Sequence, residues 1–267
     1  GNESKIQSLS NCFVIQAPYD SYAGILTTDQ EQVQIMKRRG GVGFDVSTIR
    51  PKGLTTSNAA KTTDGIEVFM ERFSNSCREV AQGGRRGALM LSISVHHPQV
   101  MDFIKIKRDL KKVTGANISV RVSDKFMNAV KKGTNYRQQW PVDSEDPEIS
   151  ELVPARDIWD ALIDGAHSSA EPGILFWDTA KKMTPSDIYE DQGFGSTSTN
   201  PCGGFKCATA LAVHTQRVCV RVRLYVRVCI CLSAYLCGCL LICLSLCLCV
   251  SVCLCLCLSV CLCVCLS

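Results

Sequence analysis

Residues 1–204 alternate between short apolar runs and segments in which apolar residues recur every three or four positions. The short runs, bounded by Gly, Pro or polar residues, predict buried strands, and the longer spacing predicts helices. The predicted strands lie in SLSNCFVIQAP (8–18), VGFDVSTIRPKG (42–53), ALMLSISV (88–95), ANISVRVS (116–123) and GILFWDTA (173–180). Because helical segments fall between these strands, the pattern predicts an α/β fold with glycine-rich loops where strands meet helices.

Five helices are predicted from capping residues and apolar spacing. Thr28 and Glu31 form a capping box that starts the first helix, and Gly40 ends it. Cys77 lies on the apolar face of the second helix, so it is interpreted as a core residue. That face contains Ile66, Phe69, Met70, Phe73, Cys77 and Val80. Three further helices are predicted over residues 98–103, 124–130 and 154–166, and the polar, proline-punctuated stretch 135–154 is predicted to be a loop.

The composition changes after residue 204. Fifteen of the 18 cysteines lie at or beyond Cys207, and the forty residues from Val228 to Ser267 carry no charge. Residues 1–204 have 24 basic and 25 acidic residues, whereas residues 205–267 have five basic residues and none acidic. The positive charge therefore belongs to the tail, since the whole-chain value of +4 is the sum of +5 for the tail and −1 for residues 1–204, and no nucleic-acid partner is expected. We predict two domains, a globular part at 1–204 and a low-complexity Cys/Leu/Val tail at 205–267.

Several interpretations of the tail stay open. It is long enough for a membrane anchor, and the Arg-rich stretch before it is typical of a cytoplasmic flank. The codons for its alternating Cys, Leu, Val and Ser residues can all be read from a DNA tract that alternates TG and TC. The tail is therefore also typical of a translated simple repeat, which is the interpretation we favour. Metal binding by thiolates is the weakest interpretation, because C-x-x-C pairs and interspersed carboxylates do not occur in the tail.

Residues 1–204 contain three cysteines without a pairing framework, which indicates a reducing compartment and a cytoplasmic location. The chain begins with Gly1 rather than methionine, which is typical of a fragment or a processed product.

Two glycine-rich segments with neighbouring arginines are candidates for phosphate binding: RRGGVGF (38–44) and QGGRRG (82–87). Glycine lets backbone N–H groups approach a phosphate, and arginine supplies bidentate charge. Each segment alone is more often a simple turn, but the two together with Asp20 indicate a nucleotide site. Structural or solvent-facing roles are expected for His96, His97 and His167, and no metal site is predicted.

Six motifs carry a resemblance to a known family: SNCFV, YDS, RRGGVGFDVSTIRPKG, QGGRRGA, ANISVRVSD and STNPCG. In this order they resemble the large catalytic subunit of ribonucleotide reductase over residues 5–203. The resemblance implies a ten-stranded α/β barrel made of two antiparallel sets of five parallel strands, with a radical cysteine on a central loop. Residues 1–204 would form the first half-barrel and the base of that loop.

The resemblance implies roles for three catalytic residues. Cys202 matches the cysteine whose thiyl radical abstracts hydrogen from the ribose 3′ carbon, and Asn200 matches the amide that binds the ribose hydroxyls. Cys12 matches one member of the redox pair that reduces the 2′ position; without the motif it would be interpreted as a buried apolar residue. The implied substrate-binding residues are Ser10, Gly41 and Arg86.

An allosteric site is implied as well. Asp20 and Ser21 match residues near the base and sugar of a deoxynucleoside triphosphate effector, and Arg50 matches the arginine that holds its phosphates. Lys52 and the loop that continues to Gly65 would be the first specificity loop, and QGGRRGA would be the second. ATP is a further implied effector, and the effector would bind across a homodimer.

The resemblance also implies cofactors and partners. The NPCG sequence and the short first strand favour adenosylcobalamin as the radical source, and a small metal-bearing subunit is the other possibility. Thioredoxin or glutaredoxin would supply the dithiol reductant for the ribonucleotide substrate.

One position departs from the family pattern. Gly204 stands where the family has the glutamate that accepts a proton from the 3′ hydroxyl, so the chain as written is predicted to be inactive. The alternative function is a membrane-anchored nucleotide-binding protein without catalysis.

Overall fold

The computed structural model describes residues 11–80 and 87–202 of the chain. The strands are β1 (Cys12–Val14), β2 (Gly41–Asp45), β3 (Leu89–Ser94), β4 (Asn117–Val122), β5 (Asn135–Trp140), β6 (Ile149–Pro154) and β7 (Gly173–Phe176). The helices are α1 (Tyr22–Met36), α2 (Ile66–Glu79), α3 (Val100–Lys105), α4 (Asp124–Lys132), α5 (Ala155–Ser169) and α6 (Trp177–Met183). Two short 3-10 segments follow α3 and α6, at Ile106–Arg108 and Pro185–Gln192.

Five strands form one parallel sheet in the order β1-β2-β3-β4-β7. Cys12 pairs with Gly41 at one edge, and Val122 pairs with Phe176 at the other. Helices connect most neighbouring strands, as parallel pairing requires. The predicted α/β class is confirmed, and the strand number equals that expected for one half-barrel.

The core lies between this sheet and its helices. Every residue of β2 and β3 is buried, which explains their nearly continuous apolar runs. Phe44 of β2 meets Phe73 of α2 edge to face, with ring centroids 4.8 Å apart. Cys77 belongs to the same core, as predicted, and burial raises the pKa of its thiol to about 11.

The first helix differs from its prediction. It begins at Tyr22, and its cap is Ser21, whose Oγ accepts a hydrogen bond of 3.0 Å from the Gly24 N–H. Thr28, the predicted cap, lies buried inside the helix. The capping-box pattern was misleading because the tyrosine and glycine residues before it have weak helix propensity, which tertiary packing overrides.

The stretch 135–154, predicted to be a loop, is a β-hairpin. Strands β5 and β6 pair antiparallel, with Asn135 opposite Pro154 and Trp140 opposite Ile149. Alternate residues of β5 face inward, but one of them is Gln138, which hides the apolar alternation. Gln138 is buried because its amide donates to the carbonyls of Val95 and His97, at 3.1 and 3.2 Å.

The last predicted strand is also shorter than expected. Strand β7 ends at Phe176, and Trp177 starts α6. Among the described residues, no helix is long and apolar enough to cross a membrane. The tail, and with it the choice between anchor and translated repeat, lies outside the described residues, so the predicted boundary after residue 204 stays a prediction.

Candidate active site and effector site

Two of the predicted catalytic residues meet although they are 190 positions apart. The sulfur atoms of Cys12 and Cys202 lie 4.0 Å from each other. Cys12 is buried at the start of β1, and Cys202 is exposed in the turn at residues 201–202. The pair combines a shielded thiol with one that solvent or a substrate can reach.

The segment leading to Cys202 runs directly over β2. A β-carbon on Gly43 would lie 1.9 Å from the carbonyl oxygen of Thr199, and one on Gly41 would lie 3.1 Å from Cγ of Pro201. These two glycines therefore leave the space in which the segment lies. Gly41, predicted to bind substrate, faces Pro201 of the NPC motif, so it borders the site.

Asn200 is almost fully buried beside the cysteine pair. Its side-chain oxygen accepts a hydrogen bond of 3.1 Å from the backbone N–H of Cys202. The amide thus holds the turn that presents the Cys202 thiol. Binding of ribose hydroxyls by Asn200 stays a prediction.

A buried polar network missed by the sequence analysis anchors the same segment. Asp45, at the end of β2, accepts a hydrogen bond of 2.9 Å from the Ser92 hydroxyl, which lies 2.8 Å from the hydroxyl of Ser198. Ser92 therefore links the sheet to the segment that carries Cys202. Each hydroxyl both donates and accepts, so buried serines can satisfy one another.

Arg121 of β4 extends this network. Its Nε lies 2.9 Å from Oδ2 of Asp45, an ion pair whose N–H is not aligned for a hydrogen bond, and its Nη1 donates to the Thr197 carbonyl at 3.1 Å. The guanidinium also lies over the ring of Trp177, 4.6 Å from its centroid. An arginine within a predicted buried strand was the available signal, since such a charge requires a buried partner.

The predicted effector residues Asp20 and Arg50 form an ion pair. Arg50 Nε lies 2.7 Å from Oδ2 of Asp20, whose other oxygen accepts a hydrogen bond of 3.0 Å from the Arg50 N–H. The guanidinium also donates to the Thr55 carbonyl and lies 5.6 Å from the ring centroid of Trp140. The pair is partly buried at the entrance of the predicted first specificity loop.

The other two predicted effector residues, Ser21 and Lys52, lie near this ion pair but take no part in it. Ser21, adjacent to Asp20, uses its hydroxyl to cap α1. Lys52 is exposed, and its backbone N–H donates to the side chain of Gln99 at 2.9 Å. The structure thus brings Asp20, Ser21 and Arg50 together, with Lys52 two residues beyond Arg50.

The neighbouring histidines have structural contacts, in line with the prediction. His97 is fully buried, its Nε2 lies 2.9 Å from the Ile49 carbonyl, and burial lowers its pKa to about 4. His96 lies 2.9 Å from the hydroxyl of Tyr136, and burial lowers its pKa as well. Within the described residues, no group of His, Cys, Asp and Glu is placed to hold a metal ion.

Some predicted residues lie outside the described residues. They are Ser10, Arg86 with the second specificity loop, and Gly204 at the position of the family glutamate.

The comparison with family models decides the relationship. The ribonucleotide reductase barrel domain matches residues 10–219. The chain belongs to the ribonucleotide reductase family. The family predicted from six motifs is thereby confirmed, and with it the membership of an oxidoreductase family.

Curated relatives agree with this assignment. A vitamin B12-dependent ribonucleoside-diphosphate reductase from Thermoplasma acidophilum is 36% identical over 202 residues, covering 75% of this chain and 25% of the relative. Its counterpart from Mycobacterium tuberculosis is 31% identical over 198 residues, covering 73% of this chain and 27% of the relative. The ribonucleoside-diphosphate reductase large subunit of Variola virus is 26% identical over 205 residues, covering 66% and 26%. The chain therefore spans about a quarter of the length of the curated relatives it matches.

Proposed function

We propose that this chain forms the first part of the catalytic barrel of a ribonucleoside-diphosphate reductase, with thiyl-radical chemistry at Cys202. The observation that carries the proposal is the 4.0 Å contact between the sulfurs of Cys12 and Cys202. It joins the two cysteines to which the family motifs assign different steps of one reaction. Family membership and the names of the relatives support ribonucleotides as the substrate class.

The geometry suits a division of labour between the two thiols. Cys202 is exposed, so its thiyl radical can reach the ribose and take the 3′ hydrogen atom, which it returns at the end of the cycle. Cys12 is buried beside it and donates reducing equivalents at the 2′ carbon, where the hydroxyl leaves as water. In that step Cys12 and a second thiol, supplied from outside the described residues, lose two electrons and two protons and become a disulfide.

Adenosylcobalamin is the proposed radical source, because several relatives are named as vitamin B12-dependent. When bound, this cofactor supplies the oxidising equivalent that converts the Cys202 thiol into a thiyl radical. The exposed position of Cys202 fits such access. The contribution of this segment to that step is the accessible Cys202 thiol. A small metal-bearing subunit is the alternative source, because the Variola virus relative is named as a large subunit.

The effector site is proposed at Asp20, Ser21, Arg50 and Lys52. Arg50 is fixed at the entrance of the loop, where its guanidinium can exchange part of its contact with Asp20 for a phosphate. Deoxynucleoside triphosphates and ATP are the proposed ligands.

A homodimer is proposed across α1 and α2. Both helices expose large apolar side chains, namely Tyr22, Leu26 and Val68. Thioredoxin or glutaredoxin as reductant, and a cytoplasmic location, are proposed from the family chemistry. The alternative of a membrane-anchored nucleotide-binding protein has no supporting observation in the described part of the chain.

A chimaera tests the proposed catalytic role. Residues 11–202 of this chain replace the matching segment of the Thermoplasma acidophilum relative, and reduction of ribonucleoside diphosphates is measured with adenosylcobalamin and a dithiol. The chimaera should form deoxynucleotides. Its Cys202→Ser variant should form none, and its Cys12→Ser variant should not sustain multiple turnovers. Cys77→Ala is the matched control, because Cys77 lies in the hydrophobic core and is not one of the two cysteines whose sulfurs meet.

The chimaera must be folded for these results to count. A cooperative thermal unfolding transition and the elution volume in size-exclusion chromatography show that it is. A folded, active chimaera that keeps its activity with Cys202→Ser would contradict the proposal.

A further inference from the structure

The two ends of the predicted first specificity loop, residues 52–65, meet at a single side chain. Oε1 of Gln99 accepts hydrogen bonds from the backbone N–H of Lys52 at 2.9 Å and from that of Ile66 at 3.2 Å. Its Nε2 donates to Oδ2 of Asp102 at 3.2 Å. Since the carboxylate accepts and the two N–H groups donate, these contacts fix which end of the amide faces the loop.

Gln99 also caps helix α2 from outside. Ile66 is the first residue of this helix, and the residue at the cap position, Gly65, has no side chain that could accept its N–H. Gly65 has a φ of 79°, and a β-carbon there would lie 2.2 Å from Oε1 of Gln99. The glycine and the glutamine are therefore complementary, because one leaves the space that the other fills.

The backbone that carries Gln99 is held firmly. The Gln99 N–H donates to Nδ1 of His97 at 3.0 Å, so the proton of the neutral imidazole is on Nε2, which donates to the Ile49 carbonyl at 2.9 Å. Ile49 immediately precedes Arg50. The turn 95–99 thus contacts the chain on both sides of the loop.

The same turn is bonded to the hairpin that the sequence analysis missed. The Gln139 N–H donates to the His96 carbonyl at 2.7 Å, and the side chain of Gln138 donates to the Val95 and His97 carbonyls. The next residue, Trp140, lies under the Arg50 guanidinium. Loop ends, turn and hairpin form one connected frame around Arg50.

We infer that Gln99 is a positioning residue for effector binding: it closes the 52–65 loop and holds the N-terminus of α2 relative to Arg50. This inference rests on the proposed effector site. Its influence passes through the backbone N–H groups of Lys52 and Ile66, which it holds. Loss of its amide leaves both ends of the loop without their shared acceptor.

Hydrogen–deuterium exchange of the full 267-residue chain, without nucleotide, tests the closing contact. Gln99→Met keeps a similar volume but removes both acceptor and donor, so amide exchange at Lys52 and Ile66 should rise about tenfold. The double variant Gln99→Glu with Asp102→Asn reverses the polarity of their mutual hydrogen bond and keeps the acceptor, so exchange should return to within about twofold of wild type. Gln139→Met is the matched control, because its side-chain amide donates to the Val142 and Ser144 carbonyls of the hairpin turn, and the backbone hydrogen bond of Gln139 to His96 is kept in the variant.

Titration with dATP, dGTP, dCTP and dTTP then measures the effect on binding. Gln99→Met should weaken the tightest of the four by about tenfold, the double variant should restore it, and Gln139→Met should leave it unchanged. Thermal unfolding of each variant gives its melting temperature. A positioning role requires that the double variant regain nucleotide affinity, whereas a recovery of the melting temperature alone would indicate only a general effect on stability.

Two results would overturn the inference. In the first, Gln99→Met has the same amide exchange rates at Lys52 and Ile66 and the same nucleotide affinity as the wild type. In the second, Gln99→Met and Gln139→Met change these exchange rates and this affinity equally. If the wild-type chain binds none of the four nucleotides, the proposed effector site fails, and the exchange experiment still decides whether Gln99 closes the loop.

Discussion

The carbonyl oxygen of Thr199 lies in the space that a side chain on Gly43 would occupy. The distance from that oxygen to the position of a β-carbon is 1.9 Å, far below any real contact. Only glycine therefore allows the segment 198–202 to pass over β2 at this point. The 4.0 Å contact between Cys12 and Cys202 depends on this close approach of two backbones.

Gly43→Ala should displace this segment and destabilise the chain by about 1–3 kcal/mol, the usual cost of overpacking a filled core. Urea unfolding measures the stability, and a bifunctional thiol reagent such as dibromobimane measures the cysteine contact. Cys12 and Cys202 are the only cysteines of the tryptic peptides 6–37 and 183–206, so mass spectrometry identifies their cross-link. Gly41→Ala should have a smaller effect, because its nearest contact would be 3.1 Å. An undiminished cross-link in Gly43→Ala would show that the glycine does not position Cys202.

Arg50→Ala should weaken deoxynucleoside triphosphate binding by about 1.5–3 kcal/mol, because it removes a charge-assisted contact to phosphate. Isothermal titration calorimetry measures the affinity. Lys181→Ala is the control, since it also removes a positive charge paired with a carboxylate, that of Glu190, but lies on α6, outside the proposed effector and dimer regions. Equal affinity in the wild type and Arg50→Ala would remove Arg50 from the effector site.

The 267-residue chain should not reduce ribonucleotides, with either adenosylcobalamin or a small metal-bearing subunit as the radical source. Gly204 cannot accept the 3′-hydroxyl proton that the family glutamate takes. Chromatographic detection of deoxynucleotides checks this, with the active chimaera as the positive control. Formation of deoxynucleotides by the purified chain would show that another group replaces the glutamate.

Stability should fall as the pH decreases from about 6.5 to 4, in part through His97. Burial lowers the pKa of this imidazole from 6.5 to about 4, so the folded state binds a proton less readily than the unfolded state. The contribution is fully present above pH 6.5 and is lost as the pH falls towards 4, at about 1.4 kcal/mol per pH unit. Urea unfolding across this range should show a shallower pH dependence for His97→Gln. An identical slope for both proteins would mean that His97 is not the group responsible.

Deletion of residues 205–267 should increase solubility and leave nucleotide binding unchanged. An uncharged Cys/Leu/Val run without proline has high β-propensity and favours aggregation and mixed disulfides over packing. Soluble yield with and without reducing agent checks this. Alkali-resistant membrane association of the full chain, lost on deletion, would favour the anchor instead.

The sequence predicted the α/β class, because continuous apolar runs between helical segments have few other solutions, and the family resemblance implied the parallel strands. It did not predict the hairpin 135–154. Gln138 is polar but buried, and the burial of its side chain depends on hydrogen bonds to the carbonyls of Val95 and His97, which are distant in the sequence. A local pattern cannot show that such acceptors are near.

The sequence by itself determined the family, and it predicted the reactive residues, because motifs such as STNPCG record chemistry directly in their residue types. Tertiary structure alone decided that Cys12 contacts Cys202, that Asp20 pairs with Arg50 and that Gln99 joins the two ends of one loop. Each of these contacts joins residues from separate strands, loops or helices. Their distances follow from the parallel sheet and its packed helices, since side chains far apart along the chain meet only when the fold places their backbones together.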